Sequence, residues 1–524
     1  MILLYNGKIF SSLRNSTALA VRDGVIVAAG SDIEVLNLEN PGCEKINLDG
    51  KSVLPSLTDS HIHFELFSLS LSLVNCQTKL REDSIKNVAV EAQKSSDGRW
   101  IVGYGWNQNT WGGVFGTCTE LDQISNGHPI FLSDKSLHSA WVNSAALTLA
   151  GINDKTPDPE GGSIQRDFQR KPTGILFEKA VMLVQKLIPS GTETDRKNAM
   201  LKGQAELHRL GITGIHDFDR SSCFTTLQLL HQNKELTLRV AKSIPIDDLD
   251  QAIQIGLRTG FGDDMLFIGP VKMFADGALG PQTAAMLSPY ENKPSDRGTL
   301  LLSADQVFES GMRTSSHGLS LAIHAIGDRA THDVLNGYAM LREFEKQHNL
   351  PHLLHRVEHL QLLHPDNLNK ASSLGIVASM QPIHIATDMF TADKHWGERS
   401  KYAYAFSSLL SHNTQLIFGS DAPVESPNPF WGISTAVSRR RQDGEPDKKG
   451  WYSQERIMFD QALHAYSSAP ARVVGKSKLL GRLEPGYLAD LMILGQDPTQ
   501  LQPDELYDLL PESVMVEGNW VYHF

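Results

Sequence analysis

Leu321-Ala-Ile-His-Ala-Ile-Gly-Asp328 is a short apolar segment that ends in polar residues. It is followed by the amphipathic stretch Ala330–His348 and then by the strand-like segment Arg356-Val-Glu-His359. A strand, a helix and a second strand in this order are typical of a parallel sheet, because such strands need a crossover connection. The same alternation extends over roughly 300 residues. The sequence therefore predicts an α/β fold with a parallel sheet, either open or closed into a barrel.

The predicted strands of this sheet are short, apolar segments: Ser52–Leu57, Gly214–Phe218, Ile268–Phe274, Leu321–Ile326, Arg356–His359, Ile376–Gln381 and Leu416–Gly419. A second helix is predicted over Asp366–Leu374. Residues at about 65–205 fit the alternation poorly and contain Gly-, Trp- and Asn-rich loops such as Gly103–Gly113. We expect them to be an insertion after the first strand that shapes a site.

Both ends of the chain are rich in short predicted strands and turns. Asn6-Gly7 is a hairpin signal, and Asp23-Gly24 separates two apolar runs. Near the other end, Gly486–Leu494 has the composition of a buried strand, and Val514–Tyr522 has that of a strand pair. Because termini often lie close together, we expect residues 1–54 and 475–524 to form one small β domain, with residues 55–474 forming the larger domain.

Composition excludes several classes of protein. The chain has 524 residues, of which 41% are hydrophobic and 21% charged, so disorder and collagen-like repeats are excluded. With 48 Lys+Arg and 60 Asp+Glu the net charge is −12, which argues against nucleic acid as the main partner. No apolar run approaches the roughly 18 residues that a membrane span needs. We expect a small-molecule substrate and no membrane partner, with a homodimer as the candidate assembly.

The four cysteines carry no predicted chemistry, since they are scattered and none forms a C-x-x-C pair. The first residues have neither a basic flank nor a small-residue cleavage site, so they do not indicate a signal peptide. A reducing cytoplasm is therefore the expected compartment.

The most informative local pattern is Asp59-Ser60-His61-Ile62-His63, which follows an apolar strand. Residues i and i+2 of a strand point to the same face, so His61 and His63 can bind one metal ion together. An isolated H-x-H pattern is weak. Its position strengthens it, because barrel enzymes place their sites at the carboxyl ends of strands.

Polar residues recur at the ends of later predicted strands. His324, His359 and Asp421 each come at or just after an apolar strand, and Lys272 lies inside Ile268–Phe274. A lysine within a buried strand is costly unless it is paired or neutralised. Either carboxylation to a carbamate that bridges two metals or an ion pair with a carboxylate such as Asp276 would resolve that cost.

Taken together, these segments resemble the amidohydrolase superfamily and, within it, the YtcJ-like branch that includes N-substituted formamide deformylases. The resemblance covers essentially the whole chain. It rests on Leu54–His63, Gly105-Trp106, Trp141-Val-Asn-Ser144, Val271–Gly277, Ile323–Asp328, Arg356–His359, Ser379–His384, Gly419–Val424 and Gly486–Leu491.

The resemblance implies a (β/α)₈ TIM-like barrel with a small β-sandwich built from both termini. It places the metal ligands on strands one (His61 and His63), four (Lys272, carboxylated), five (His324), six (His359) and eight (Asp421). These ligands suit Zn²⁺, as one or two ions, with another divalent transition metal as the alternative.

Five residues are predicted to bind substrate: Trp106, Asp276, Gln381, His384 and His138. The usual Asp-Gly-His of the family is replaced here by Asp134-Lys-Ser-Leu-His138. Gln381 and His384 either orient the substrate or are ordinary loop polarity, and Trp106 either forms part of an aromatic wall or packs in a core.

The expected function is hydrolysis of a C–N bond in an amide or an N-formyl or N-acyl amine. A metal lowers the pKa of a bound water from 15.7 to about 7, and the resulting hydroxide attacks the carbonyl. Asp421 is expected to bind metal and to carry the proton to the leaving nitrogen. Deaminases of the superfamily carry a glutamate where this chain has Gly327, which argues against deamination. An esterase or lactonase on the same site, and a catalytically silent scaffold protein, remain as alternatives.

Overall fold

The structure is a computed structural model that describes residues 1–11, 15–96, 98–134, 139–189, 191–291 and 293–523. The chain folds into two compact units. The first is formed by Met1–Ser68 together with Met200–Phe524, and the second by Leu69–Ala199.

The first unit contains an eight-stranded parallel sheet in which each strand is hydrogen-bonded to the next one along the chain. Its strands are β1 (Leu57–Ile62), β2 (Ile212–Asp217), β3 (Arg239–Pro245), β4 (Leu266–Phe274), β5 (Leu321–Ala325), β6 (Arg356–His359), β7 (Val377–Met380) and β8 (Gln415–Phe418). Just beyond the end of β8, the backbone N–H of Asp421 donates to the carbonyl of His61 in β1 at 2.7 Å. The sheet is thus nearly closed, which confirms the predicted α/β barrel.

Some barrel strands are almost wholly apolar because both of their faces are buried, as in β5 with the sequence Leu-Ala-Ile-His-Ala. One predicted strand boundary is wrong. The segment Ser52–Leu57 is divided, so that Ser52–Pro55 pairs antiparallel with Leu491–Leu494 while the barrel strand begins at Leu57. His61 consequently lies inside β1, and His63 follows directly after it.

Strand β3 was not predicted, because Arg239 and Lys242 interrupt its apolar pattern. Both side chains are buried and paired. Arg239 Nε lies 2.6 Å from Asp490 Oδ2, and Lys242 Nζ lies 2.7 Å from Asp217 Oδ2. Buried charges are tolerated when they are paired in this way, and their partners here come from distant parts of the chain.

The following α-helices lie between or after the barrel strands along the chain, and the first two continue across the boundary with the second unit. They are Phe64–Ser70, Glu193–Arg209, Ser221–Gln232, Leu249–Gln254, Ala304–Ser316, Asp328–Gln347, Leu368–Ser373, His384–Trp396, Phe406–Ser411, Pro429–Ser438, Phe459–Tyr466 and Ser468–Val473. The 3₁₀ turns are Ile246–Asp248, Pro365–Asn367, Gly397–Tyr402, Ser453–Glu455 and Pro503–Asp508. None of the helices in the described ranges is long and apolar enough to cross a membrane.

Both ends of the chain supply two small sheets that share one apolar core, which includes Leu4, Ile26 and Leu491. The first sheet has the order Val25–Gly30, Ala18–Arg22, Ile2–Tyr5, Glu44–Asn47, with the short helix Asp32–Leu36. The second has the order Lys8–Ile9, Ser52–Pro55, Leu491–Leu494, Pro511–Val516, Asn519–His523.

The Asn6-Gly7 hairpin prediction is wrong. The strands on either side, Ile2–Tyr5 and Lys8–Ile9, belong to different sheets, so this turn carries the chain from one sheet to the other. Asn6 takes a positive φ of 60°, which asparagine tolerates better than most residues.

The second unit, Leu69–Ala199, overlaps the region expected to be an insertion and has a sheet of its own. That sheet has the order Gly162–Arg166, Pro172–Glu178, Ser139–Val142, Ile130–Asp134, Ile101–Trp106, Val74–Asn75. Its helices are Arg81–Lys94, Cys118–Asp122, Ser144–Leu149 and Val181–Gln185, with a 3₁₀ turn at Gln108–Trp111.

Candidate metal centre

One cavity of about 310 Å³ in the first unit is lined by all six residues that the sequence suggests as metal ligands. They are His61, His63, Lys272, His324, His359 and Asp421. These residues meet because parallel strands bring their carboxyl ends to the same edge of the sheet.

Three of these residues, His61, His359 and Asp421, offer ligand atoms that lie within 4.8 Å of one another. Asp421 Oδ1 lies 3.6 Å from His61 Nε2 and 3.5 Å from His63 Nε2. Tetrahedral ligands at about 2.1 Å from a zinc ion are about 3.4 Å apart. The spacing therefore fits a metal ion held between these atoms.

The backbone around Asp421 is constrained. Asp421 and His359 have positive φ angles of 62° and 68°, which costs about 1–3 kcal/mol each for a residue other than glycine. A Cβ atom on Gly419 would clash with the backbone nitrogen of His61, so only glycine fits there. The buried carboxylate of Asp59 accepts hydrogen bonds from the backbone N–H of Ser420 at 3.0 Å and of His61 at 3.1 Å. These contacts hold the end of β8 against the end of β1.

Each of three histidines uses Nδ1 in a hydrogen bond and so keeps Nε2 available. His61 bonds to Glu358 Oε2 at 2.6 Å, and His63 bonds to Asp219 Oδ1 at 3.1 Å. His359 Nδ1 lies 2.8 Å from Gln381 Oε1. Such contacts are typical of metal-ligating histidines, since they fix both the tautomer and the orientation of the ring.

His324 has the opposite arrangement, because its Nε2 lies 2.9 Å from the carbonyl of Gly277 and leaves Nδ1 available. Burial lowers the pKa of His324 to about 3, and burial also holds the pKa of His61 and of His359 well below the usual range. Neutral imidazole is the form that binds metal. Burial alone would lower the pKa of His63 as well, but the hydrogen bond to Asp219 and nearby carboxylates raise it overall.

Glu358 is a residue of the site to which the sequence analysis gave no role. It is fully buried next to Arg356, whose Nε donates to Glu358 Oε1 at 2.5 Å. Arg356 also bonds to the carbonyl of Ser60 and to Ser379 Oγ. Burial alone would raise the pKa of Glu358, but the charge of Arg356 lowers it, so Glu358 is a carboxylate at neutral pH. The alternation in Arg356-Val-Glu was the available signal, because it places both charges on one face of β6.

Asp219 was also missed. Its Oδ2 accepts hydrogen bonds from the backbone N–H groups of Glu65 and Leu66, at 2.6 and 3.2 Å, while its Oδ1 bonds to His63. Asp219 therefore holds the start of helix Phe64–Ser70 and the ring of His63 at once. No local pattern around Asp219 indicated this, since the contacts join residues more than 150 positions apart.

Lys272 is buried, and its Nζ atom has no hydrogen-bond partner in the part of the chain that the structure describes. It lies over two aromatic rings, 4.6 Å from the centre of Phe218 and 4.9 Å from that of Phe274. Burial lowers the pKa of Lys272 to about 8. An amine buried in this way without a partner is costly, so the site suits a further group on Nζ or a ligand next to it.

The alternative ion pair between Lys272 and Asp276 does not form. Asp276 instead accepts hydrogen bonds from the backbone N–H groups of Ala285, Ile326 and Gly327, at 2.9, 3.0 and 2.8 Å. Burial raises the pKa of Asp276 to about 7. The carboxyl group of Asp276 thus holds the loops after β4 and β5 together, 3.5 Å from His324 Nε2.

The remaining residues predicted to bind substrate lie in different places. His384 lines the cavity, with its Nε2 3.1 Å from the carbonyl of Ser420, whereas Gln381 contacts His359. Trp106 is buried in the core of the second unit, where its indole N–H donates to the carbonyl of Leu132 at 2.8 Å. His138 lies outside the described residues. The cavity is also lined by residues that the sequence analysis did not single out, among them Phe274, Leu279, Ile326, Gln361, Asp388 and Val424.

The model of the amidohydrolase family, Amidohydro_3, matches residues 44–522. The chain belongs to the amidohydrolase family. The resemblance inferred from the motifs is thereby confirmed.

Several proteins are similar to this amidohydrolase in sequence over most of their length. Protein LONG AFTER FAR-RED 3 of Arabidopsis thaliana is 33% identical over 94% of this chain and 87% of the relative. YtcJ of Bacillus subtilis, which is named as an amidohydrolase, is 29% identical over 99% of this chain and 98% of the relative. The N-substituted formamide deformylase of Arthrobacter pascens is 27% identical over 96% and 95%, respectively. These relatives support the YtcJ-like branch.

Among solved structures, an uncharacterized metal-dependent hydrolase from Pyrococcus furiosus resembles this amidohydrolase with a TM-score of 0.76 and 30% sequence identity. The match covers 95% of this chain and 100% of the other. Together with the cluster of His61, His359 and Asp421, this likeness supports a metal cofactor for the amidohydrolase.

Proposed function

We propose that this amidohydrolase cleaves a C–N bond in a small amide of the N-formyl or N-acyl amine type. The observation that carries the proposal is the convergence in one cavity of the four strand-end imidazoles, the carboxylate of Asp421 and a buried lysine whose Nζ has no hydrogen-bond partner among the described residues. The similarity to an N-substituted formamide deformylase supports the choice of C–N chemistry. The cavity volume of about 310 Å³ suits a small substrate and lies at the lower end of the usual range for ligand sites.

The proposed cofactor is Zn²⁺, because imidazole and carboxylate are ligands that zinc prefers. His61, His63 and Asp421 would hold one ion, and His324 and His359 would hold a second. Lys272, carboxylated on Nζ, would join the two. Carboxylation of the neutral amine forms one bond between the lysine nitrogen and the carbon of CO₂ and releases one proton, so it needs no further reagent. Zinc supplies Lewis-acid chemistry, which polarises a carbonyl group and makes water more acidic.

The chain itself supplies the proton transfer. The carboxylate of Asp421 faces both His61 and His63, and it is the acceptor best placed to take a proton from the attacking water. Asp421 would then give that proton to the nitrogen that leaves as an amine. Glu358, Asp219 and Gln381 would hold three of the imidazoles in place throughout.

Two substrates that differ only in the bond to be cleaved test the proposal. Zinc-loaded enzyme is screened on N-formyl and N-acyl amines such as N-butylformamide, next to the matching esters such as butyl formate, with release of the acid as the readout. Removing both histidines (His61→Ala with His63→Ala) should abolish turnover. The variant His317→Ala removes an exposed histidine whose ring bonds to the helix carbonyl of Arg313 and does not line the cavity, and it should keep full activity.

Three results would contradict the proposal. Turnover of the esters without the amides would make the protein an esterase. Full zinc occupancy without turnover of any compound in the screen would favour a silent scaffold. Turnover that survives loss of both His61 and His63 would place the chemistry elsewhere.

A further inference from the structure

Asp388 is a carboxylate in the same cavity as the candidate metal ligands, and the proposed reaction does not use it. It lies on helix His384–Trp396, which follows β7. Its Oδ2 accepts a hydrogen bond from Gln361 Nε2 at 2.7 Å and another from the hydroxyl of Tyr404 at 2.6 Å. Gln361 and Tyr404 are both buried, so their hydrogen bonds fix the orientation of the carboxylate.

Both of these donors are neutral, and both bond to the same oxygen. In the part of the chain that the structure describes, Asp388 makes no ion pair, and its Oδ1 accepts no hydrogen bond. Asp388 is half-buried and lines the cavity, so a donor on a bound molecule can reach the carboxylate oxygen that makes no hydrogen bond within the described ranges. The carboxylate of Asp388 can therefore accept one more hydrogen bond, from a molecule bound in the cavity.

The rest of the cavity wall is largely apolar. Leu279 and Ile326 are buried, while Phe274 and Val424 are 51% and 61% exposed and can contact a molecule that enters. A sphere of 310 Å³ is about 8 Å across, which is the length of a short alkyl chain. The ring centre of His384 lies 6.3 Å from that of His359, and Asp388 lies one helical turn beyond His384, so a ligand bound at the metal ligands can extend along this wall towards Asp388.

We propose that Asp388 is a specificity-determining residue that binds a protonated amine on the substrate. The preferred substrate is then an amide on a short alkyl chain whose other end carries an ammonium group. This inference rests on the proposed function, since it takes the metal ligands as the end of the cavity where the amide binds. Charge-assisted hydrogen bonds of this kind are among the stronger contacts that proteins make with ligands.

Two hydroxamic acids test this inference by binding alone. The hydroxamate group chelates metal, and 6-ammoniohexanohydroxamic acid differs from heptanohydroxamic acid only by an ammonium in place of the terminal methyl. Dissociation constants are measured by calorimetry on the zinc-loaded full-length protein and on two variants, Asp388→Asn and Asp393→Asn. Asp393 lies on the same helix, is exposed, and bonds to Trp451 rather than lining the cavity.

We expect the wild type to bind the ammonium compound roughly 10- to 100-fold more tightly than the methyl compound, as a charge-assisted hydrogen bond allows. Asp388→Asn should reduce that ratio to about one, and Asp393→Asn should leave it unchanged. Unaltered binding of the methyl compound to Asp388→Asn shows that the variant is folded.

The possible negative results distinguish a failure of the role of Asp388 from a failure of the proposed function. Equal binding of both compounds by the wild type would overturn the role of Asp388 and leave the metal site intact. A preference for ammonium that persists in Asp388→Asn would do the same. If neither compound binds to zinc-treated protein, the proposed function itself fails, and this inference fails with it.

Discussion

Replacing Glu358 by glutamine should weaken metal binding, although Glu358 is not a proposed ligand. The carboxylate accepts the Nδ1–H of His61 at 2.6 Å and two N–H groups of Arg356 at 2.5 and 3.0 Å, all in a fully buried position. Glutamine keeps one acceptor oxygen and loses the charge, so it cannot serve both partners. Either the ring of His61 turns or Arg356 loses its counter-ion.

The contacts of Glu358 allow the expected loss in metal affinity and in stability to be given a size. Losing a hydrogen bond to a charged group costs about 1.5–3 kcal/mol, which corresponds to the roughly 10- to 100-fold loss in metal affinity expected when such a contact is removed. Leaving Arg356 unpaired in the core should also lower the free energy of unfolding of the metal-free protein by about 3–5 kcal/mol. Metal affinity is measured by competition with a chelator, and stability by urea denaturation.

Glu345 provides a matched control. It is also buried, and it also bonds to a histidine and an arginine, His355 at 2.9 Å and Arg342 at 2.6 Å, but neither partner lines the cavity. Glu345→Gln should therefore destabilise the protein to a similar degree and leave metal affinity unchanged. The reasoning is refuted if Glu358→Gln binds metal like the wild type, or if Glu345→Gln weakens binding equally.

Three further outcomes are expected. Asp421→Asn should retain much of its metal yet lose on the order of 10²–10⁴ in kcat, since the amide is a poor base, and activity restored by added zinc would rule out the proton transfer. Carboxylated Lys272 should give a carbamate resonance in ¹³C NMR after growth or incubation with ¹³CO₂, and an unmodified ammonium in metal-loaded crystals would refute it. Burial alone would raise the pKa of Glu345, but hydrogen bonds from His355 and Ser315 lower it to about 2. Because a lowered folded pKa stabilises the protein above the unfolded value, about 3 kcal/mol should be lost between pH 4.5 and 2 in wild type, and Glu345→Gln should lack this loss in acid urea titrations.

Much of the barrel could be predicted from the sequence because local patterns decide it. Strands buried on both faces tend to be apolar, and this property located six of the eight barrel strands, while the prediction for the first one fell on the neighbouring strand Ser52–Pro55. The i, i+2 periodicity of a strand likewise paired His61 with His63. In both cases the physical cause and the signal lie within a few consecutive residues.

Features that depend on distant partners were missed. Strand β3 contains Arg239 and Lys242, and only Asp490 and Asp217 explain how their charges are buried. The Asn6-Gly7 signal indicated a turn correctly, but which sheet each flanking strand joins is decided by pairing with residues 44–53.

In the candidate site, too, residues marked by local patterns were predicted and residues that depend on contacts elsewhere in the chain were missed. Residues that end apolar strands were found from the sequence. The residues that hold them, Glu358 and Asp219, were not, and neither was Asp388 on the cavity wall. Glu358 and Asp219 act through residues far along the chain, such as His61, which is 297 positions from Glu358. Asp388 is held by Gln361 and Tyr404, 27 and 16 positions away, which no local pattern links to it.

Diffraction from crystals of zinc-loaded protein, recorded on both sides of the zinc absorption edge, tests the central claim most directly. The account predicts an anomalous peak in the 310 Å³ cavity, at about 2.0–2.2 Å from His61 Nε2, His63 Nε2 and the carboxylate of Asp421. A second peak next to His324 and His359 would accompany a carboxylated Lys272. Fully zinc-treated protein without a peak in this cavity, or with its only peak elsewhere, would contradict the account.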